Sequence, residues 1–172
     1  LSGRVNMALT SVLEYSPDID FQKVLTDQIL LTVPRGHAWA GRGEISGDEL
    51  LDERLIMREE TSGNYTCVRA ALTKIGINIE TLKRILTLGN SEAIAFAIME
   101  GVGVGFVSNL IYQRLLVGKV EQVCVKGLHI TQDVTLMQSR RHLASSAQMA
   151  FWQYITETEI SVERVDLRLA QK

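Results

Sequence analysis

Apolar positions along the chain fall into short runs separated by polar breaks. Val5 to Leu9 predicts a short strand ending in the polar pair Thr10-Ser11, and residues 18–23 predict a polar connector. Asp27 to Val33 is an apolar run closed by Pro34, as expected of a buried strand. Ser46-Gly47-Asp48-Glu49 fits a capping box, in which the Ser hydroxyl bonds a backbone N–H three residues on and Glu49 reaches back; a helix over 47–52 should follow. Residues 54–57 read as a strand. Val68, Ala71, Leu72 and Ile75 then recur at helical spacing, predicting an amphipathic helix over 65–75 that Gly76 ends.

Residues 84–88 predict a strand, and Gly89-Asn90-Ser91 caps a helix whose apolar face is Ile94, Ala97, Ile98 and Met99, stopped by Gly101. A strand over 102–107 follows, then a helix from Ser108 to Leu116, then strands over 120–125 and 130–138. Ser145 or Ser146 opens a long helix with Ala147, Ala150, Phe151, Tyr154 and Ile155 on one face, and the tail from Glu159 is charged and partly extended. Strands and helices alternate, and the strands are apolar on both faces. That pattern predicts α/β architecture with mostly parallel sheets covered by helices.

Composition narrows the function classes. The chain has 172 residues, 46% hydrophobic and 22% charged, which excludes a disordered or low-complexity scaffold and fits one ordinary domain or two small ones. Eighteen Lys and Arg against 20 Asp and Glu give a net charge of −2, so nothing in the bulk charge would hold nucleic acid. No apolar run reaches the ~18–20 residues that span a bilayer, which predicts a soluble chain. Cys67 and Cys124 each lie in an apolar stretch and are expected to be reduced and buried. The opening Leu1-Ser2-Gly3 reads as a cut through a longer protein.

Catalytic and cofactor signatures are weak. Gly101-Val102-Gly103-Val104-Gly105 follows a helix and lies within a strand, the reverse of the strand–glycine turn–helix order of a dinucleotide site. These glycines instead suit close helix packing, or backbone left open to a ligand. His37, His129 and His142 are scattered; His37 is expected exposed in a loop and His142 in a solvated basic turn. No G-x-S-x-G elbow is present, and no metal or cofactor is expected.

Polar helix beginnings stand out. Thr61-Ser62-Gly63-Asn64-Tyr65-Thr66, Gly89-Asn90-Ser91 and Ser108-Asn109 each follow a strand and precede a helix. Ligands of open α/β sheets bind beyond the strands' carboxyl ends, where free N–H groups favour carboxylates, phosphates or carbonyls. Ordinary capping is the favoured account of any single start. Six consecutive small or polar residues at 61–66 exceed what one cap needs, while Glu59, Glu60 and Glu92 oppose a highly charged anion.

In sequence order, Gly3 to Leu9, Leu31-Thr32-Val33-Pro34-Arg35-Gly36-His37, Ile45-Ser46, Gly89 to Ile94 with Glu100 to Val107, and Leu143 to Phe151 resemble the effector-binding domain of LysR-type transcriptional regulators, over Leu1 to about Thr158. Asn6 stands where the family usually has Asp, and Ser11 near where some relatives carry Arg. The resemblance implies a two-lobe, periplasmic-binding-protein-like fold, with the first lobe (1–29 and 131–160) incomplete, the second over 30–130 and a tail over 161–172. It implies a small-molecule effector in the inter-lobe cleft, touched by Thr10, Ser11, Thr61, Ser62, Gly63, Asn64, Thr66, Asn90 and Ser91, with Phe106 near the cleft. The effector would be an organic acid or small anion. The implied protein is a cytoplasmic homo-dimer or tetramer that meets DNA only through an N-terminal helix-turn-helix absent from this sequence. An incomplete first lobe would expose apolar edges and favour dimerisation or swapping. A transport solute-binding protein shares the implied fold and is the main alternative, with an enzyme third.

Overall fold

A computed structural model describes residues 5–11, 16–141 and 144–158. Gly3 and Arg4 of the first motif, His142, Leu143 and the tail from Glu159 lie outside the described residues. The strands are β1 (Met7–Thr10), β2 (Ile19–Pro34), β3 (Glu44–Ile45), β4 (Leu55–Arg58), β5 (Arg84–Leu88), β6 (Val104–Ser108), β7 (Val120–Val125) and β8 (Thr131–Ser139). The helices are α1 (Gly63–Lys74), α2 (Ser91–Met99), α3 (Asn109–Ile111) and α4 (Ser146–Glu157), with a π-helical turn, Tyr112–Leu116, directly after α3. Two units divide the chain: Gln28–Gln132, and Leu1–Asp27 together with Asp133–Lys172.

In the Gln28–Gln132 unit, β4 lies between β5 and β6 and is parallel to both. Helices α1 and α2 supply the crossovers that parallel neighbours require. The later part of β2 is antiparallel to β6 and β7, while β3 is parallel to β7. In the other unit β1 is antiparallel to β8. The expected α/β class stands, but the sheet is not mostly parallel. Parallel pairing is confined to strands joined through crossovers and to the short β3–β7 contact.

Alternation along β4 places Leu55 and Met57 in one apolar cluster and Ile56 in another. The first cluster takes Tyr65, Val68 and Leu72 of α1, and the second takes Ile94, Ala95 and Ile98 of α2. The two helices therefore cover opposite faces of the sheet. On the α2 face Ala95 is buried, while the expected Ala97 and Met99 are only partly so. The glycine of β6 serves packing: a Cβ on Gly105 would meet Ile56 O at 3.0 Å and Ile98 Cδ1 at 3.0 Å.

Several local expectations change. Residues 18–23 are not a connector, since Ile19 opens a 16-residue strand. Their polar side chains pair with β8 and the residues after it: Lys23 Nζ lies 2.7 Å from Asp133, and Arg140 Nε donates to Asp20 at 2.8 Å. At 46–49 only half of the capping box forms. Glu49 accepts from the Ser46 N–H at 2.9 Å, but the Ser46 hydroxyl also turns to Glu49, and the helix shrinks to a 3-10 turn, Asp48–Leu50. Ser108 makes no side-chain cap bond. His37 is held rather than exposed, its Nε2 3.1 Å from Glu53 and its Nδ1 accepting from the Trp39 N–H at 3.2 Å. Cys67 is half-buried and Cys124 exposed, because Cys124 falls on the outward phase of β7. No residue of α4 is buried.

Candidate functional site

Strands β4 and β5 run parallel with Arg58 opposite Leu88, so the segments that follow them emerge side by side. The first leads into α1 and the second into α2. Ser62 sits in extended backbone before α1, and its Oγ accepts from the Tyr65 N–H at 3.0 Å. The Ser62 N–H donates to Glu59 O at 3.0 Å, and the Thr66 hydroxyl to Ser62 O at 3.1 Å. Among the described residues no acceptor meets the backbone N–H of Gly63 or Asn64. Asn64 is 7% exposed, and its buried Nδ2 has no hydrogen-bond partner. A buried donor without an acceptor costs about 1–3 kcal/mol.

At the second start, Asn90 Oδ1 accepts from the N–H groups of Glu92 at 2.7 Å and Ala93 at 3.2 Å. Its side chain is thereby committed to capping. The half-buried Ser91 accepts at Oγ from Arg58 Nη1 at 2.7 Å. The same guanidinium grips Glu59 with two bonds, Nε to Oε2 and Nη2 to Oε1, both 2.8 Å. Arg58 holds the Glu59 carboxyl below the usual carboxylate range through these bonds. Beside α1, the Tyr65 hydroxyl donates to Glu80 at 2.9 Å; burial first, then that bond, raises the Tyr65 pKa.

Of the residues the sequence singled out, Ser62, Gly63, Asn64, Asn90 and Ser91 share one rim, with Thr61 and Thr66 exposed on it. Thr10 and Ser11 belong to the other unit, both half-buried, with Thr10 in register with Thr135. Phe106 is only 3% exposed and packs in the α1-side core, lining a cavity of about 200 Å³ with Ile29, Leu31 and Val123 rather than standing at the rim. Sequence reasoning missed Arg58 and the use of Glu59. The available signal was a cation closing an otherwise apolar strand just ahead of the polar loop.

This rim presents hydrogen-bond donors. The hydroxyl oxygens of Ser62 and Ser91 face a backbone N–H and a guanidinium, neither of which is a base. Among the described residues no group of His, Cys, Asp or Glu could hold a metal ion, and no helix is long and apolar enough to cross a membrane. Donors clustered at the carboxyl edge of parallel strands occupy the position at which open α/β sheets take small ligands.

The chain belongs to the LysR substrate binding domain family, which it matches over residues 1–159. It is 33% identical over 132 residues to an HTH-type transcriptional regulator of Methanocaldococcus jannaschii, covering 76% of this chain and 45% of that protein. It is 24% identical over 155 residues to the RuBisCO operon transcriptional regulator of Allochromatium vinosum, covering 90% of this chain and 50% of that one. The chain thus spans about half the length of these relatives. Among solved structures, the Synechocystis PCC6803 CcmR regulatory domain, in complex with 2-PG, superposes with a TM-score of 0.76 at 22% identity, covering 92% of this chain and 76% of that one. The QuiR effector binding domain, in complex with shikimate, gives 0.77 at 19%, covering 90% and 71%.

Proposed function

We propose that the chain is the ligand-sensing part of a LysR-type transcription regulator and binds a small organic acid or anion at the α1–α2 rim. The observation that carries this reading is the Asn64 amide, buried without an acceptor beside two free backbone N–H groups. An incoming carboxylate or phosphoryl oxygen satisfies all three donors at a positive helix end. Relatives named as transcriptional regulators support this over a transport solute-binding protein.

In this reading the protein is a cytoplasmic, non-catalytic homo-oligomer. It reaches DNA through a helix-turn-helix outside the chain. Thr61, Thr66 and Ser91 contribute further ligand contacts. The ligand changes transcription only by its unequal affinity for two states of the whole regulator.

Calorimetric titration of the protein with small organic acids, shikimate among them, tests the reading. Binding that weakens about tenfold in Asn64→Ala is expected, a loss of about 1.4 kcal/mol. Failure of every acid to bind, or binding indifferent to Asn64→Ala, overturns it.

A further inference from the structure

We infer that Glu59 is an internal competitor for the ligand's acid group and the residue that sets charge selectivity at this rim; the inference rests on the function proposed above. Arg58 ties the loop ahead of α1 to the start of α2, and its side chain is only 18% exposed. A carboxylate already occupies its planar fork, through two bonds of 2.8 Å. That is the geometry a guanidinium offers to any carboxylate. Glu59 fills the cation's anion site with the chain's own acid.

The backbone around Glu59 is fixed independently of that pair, because its carbonyl accepts the Ser62 N–H at 3.0 Å. The side chain, 36% exposed, can swing away without disturbing the loop. An arriving monocarboxylate exchanges like for like on Arg58, and its net gain comes from the unmet donors of Gly63 and Asn64. The displaced Glu59 stays nearby as an uncompensated negative charge, and Glu60 stands beside it, 3.6 Å from Arg84. With one cation shared between Glu59 and the ligand, a single ligand charge is tolerated and a second is repelled. Selectivity of this kind works by an unfavourable term against the wrong ligand.

The test uses acetate as monoanion and sulfate as dianion, titrated at constant ionic strength, because screening would otherwise blur the comparison. Amide resonances of Gly63 and Asn64, including the Asn64 side-chain NH2, provide the readout. Glu59→Gln should tighten acetate about 3- to 10-fold and sulfate by more, the size expected from one partly screened charge within a few ångströms. Glu60→Gln removes the same charge without freeing Arg58 and should change acetate less than about 2-fold. Arg58→Gln should abolish the gain when combined with Glu59→Gln.

Equal or weaker acetate binding in Glu59→Gln, a sulfate gain no larger than the acetate gain, or an equal gain in Glu60→Gln each overturns the inference. If neither anion reaches the α1 amides in any variant, Glu59 is not a competitor. The sensor reading is decided separately by the Asn64→Ala titration with organic acids.

Discussion

Gly103→Ala separates the packing role of the glycine run from a ligand-facing one. A Cβ on Gly103 would lie 2.5 Å from the carbonyl oxygen of Arg54 and 3.2 Å from Ile85 Cδ1. The isoleucine methyl can yield, but the carbonyl cannot move freely, since it accepts the Val104 N–H at 2.9 Å where β4 meets β6. Relief of the clash lengthens that bond, whose net worth is about 1 kcal/mol. Overpacking adds about 1–3 kcal/mol. A total loss of about 2–4 kcal/mol is therefore expected. Gly36 is the control: a Cβ there would meet nothing within 4 Å, and Gly36→Ala should stay within about 0.5 kcal/mol of the parent. Urea unfolding followed by Trp39, buried in the Gln28–Gln132 unit, in a Trp152→Phe background reads that unit alone. Gly103→Ala as stable as Gly36→Ala would refute the packing argument. So would an unchanged stability accompanied by loss of ligand affinity.

Asn90→Ala leaves the Glu92 and Ala93 N–H groups without their cap and should destabilise by about 1 kcal/mol in urea titration; a change below about 0.3 would contradict the cap. Tyr65→Phe removes the bond from the Tyr65 hydroxyl to Glu80, whose side chain is exposed and also faces Arg84, for an expected loss of about 0.5–1.5 kcal/mol. Because the Tyr65 pKa is raised in the fold, that contribution is fully present below the free phenol value and fades only as pH rises above it, so the loss should be equal at pH 6 and pH 8. Asp133 is held below the usual carboxylate range, first by Lys23 and then by the Thr26 hydroxyl. Its contribution is present above the unfolded value and disappears as pH falls through the folded one. The stability lost between about pH 5 and pH 2 should therefore be smaller in Asp133→Asn than in the parent, and an identical acid profile would exclude it.

What the sequence reveals here follows the range of the interactions. The β5–α2–β6 order is legible because a strand, an Asn cap, a 3.6-residue apolar period and a stop glycine are all local; Gly101 indeed takes a positive φ of 74°. The first half of β2 is not legible. Asp20 and Lys23 look like loop residues until Arg140 and Asp133, more than a hundred residues away, are brought opposite them. Cys124 fails for a related reason. An apolar run marks a strand, but the phase that sends one side chain outward and another into the core is set by register with β2.

Arg58 belongs to the same class of information, and its place explains why the rim exists. Parallel β4 and β5 bring two polar helix starts to one edge of the sheet, yet α1 and α2 then run down opposite faces. No side chain of either helix start need reach the other. The natural bridge is a residue at the end of β4, where both faces are within reach of one long side chain. A lysine there would offer a single point charge, whereas the guanidinium presents its Nε–Nη2 side to Glu59 and Nη1 to Ser91 simultaneously. In the function proposed above, the cation that joins the two segments is also the one for which an acidic ligand competes, so that ligand recognition and the geometry of the rim would be coupled through one residue.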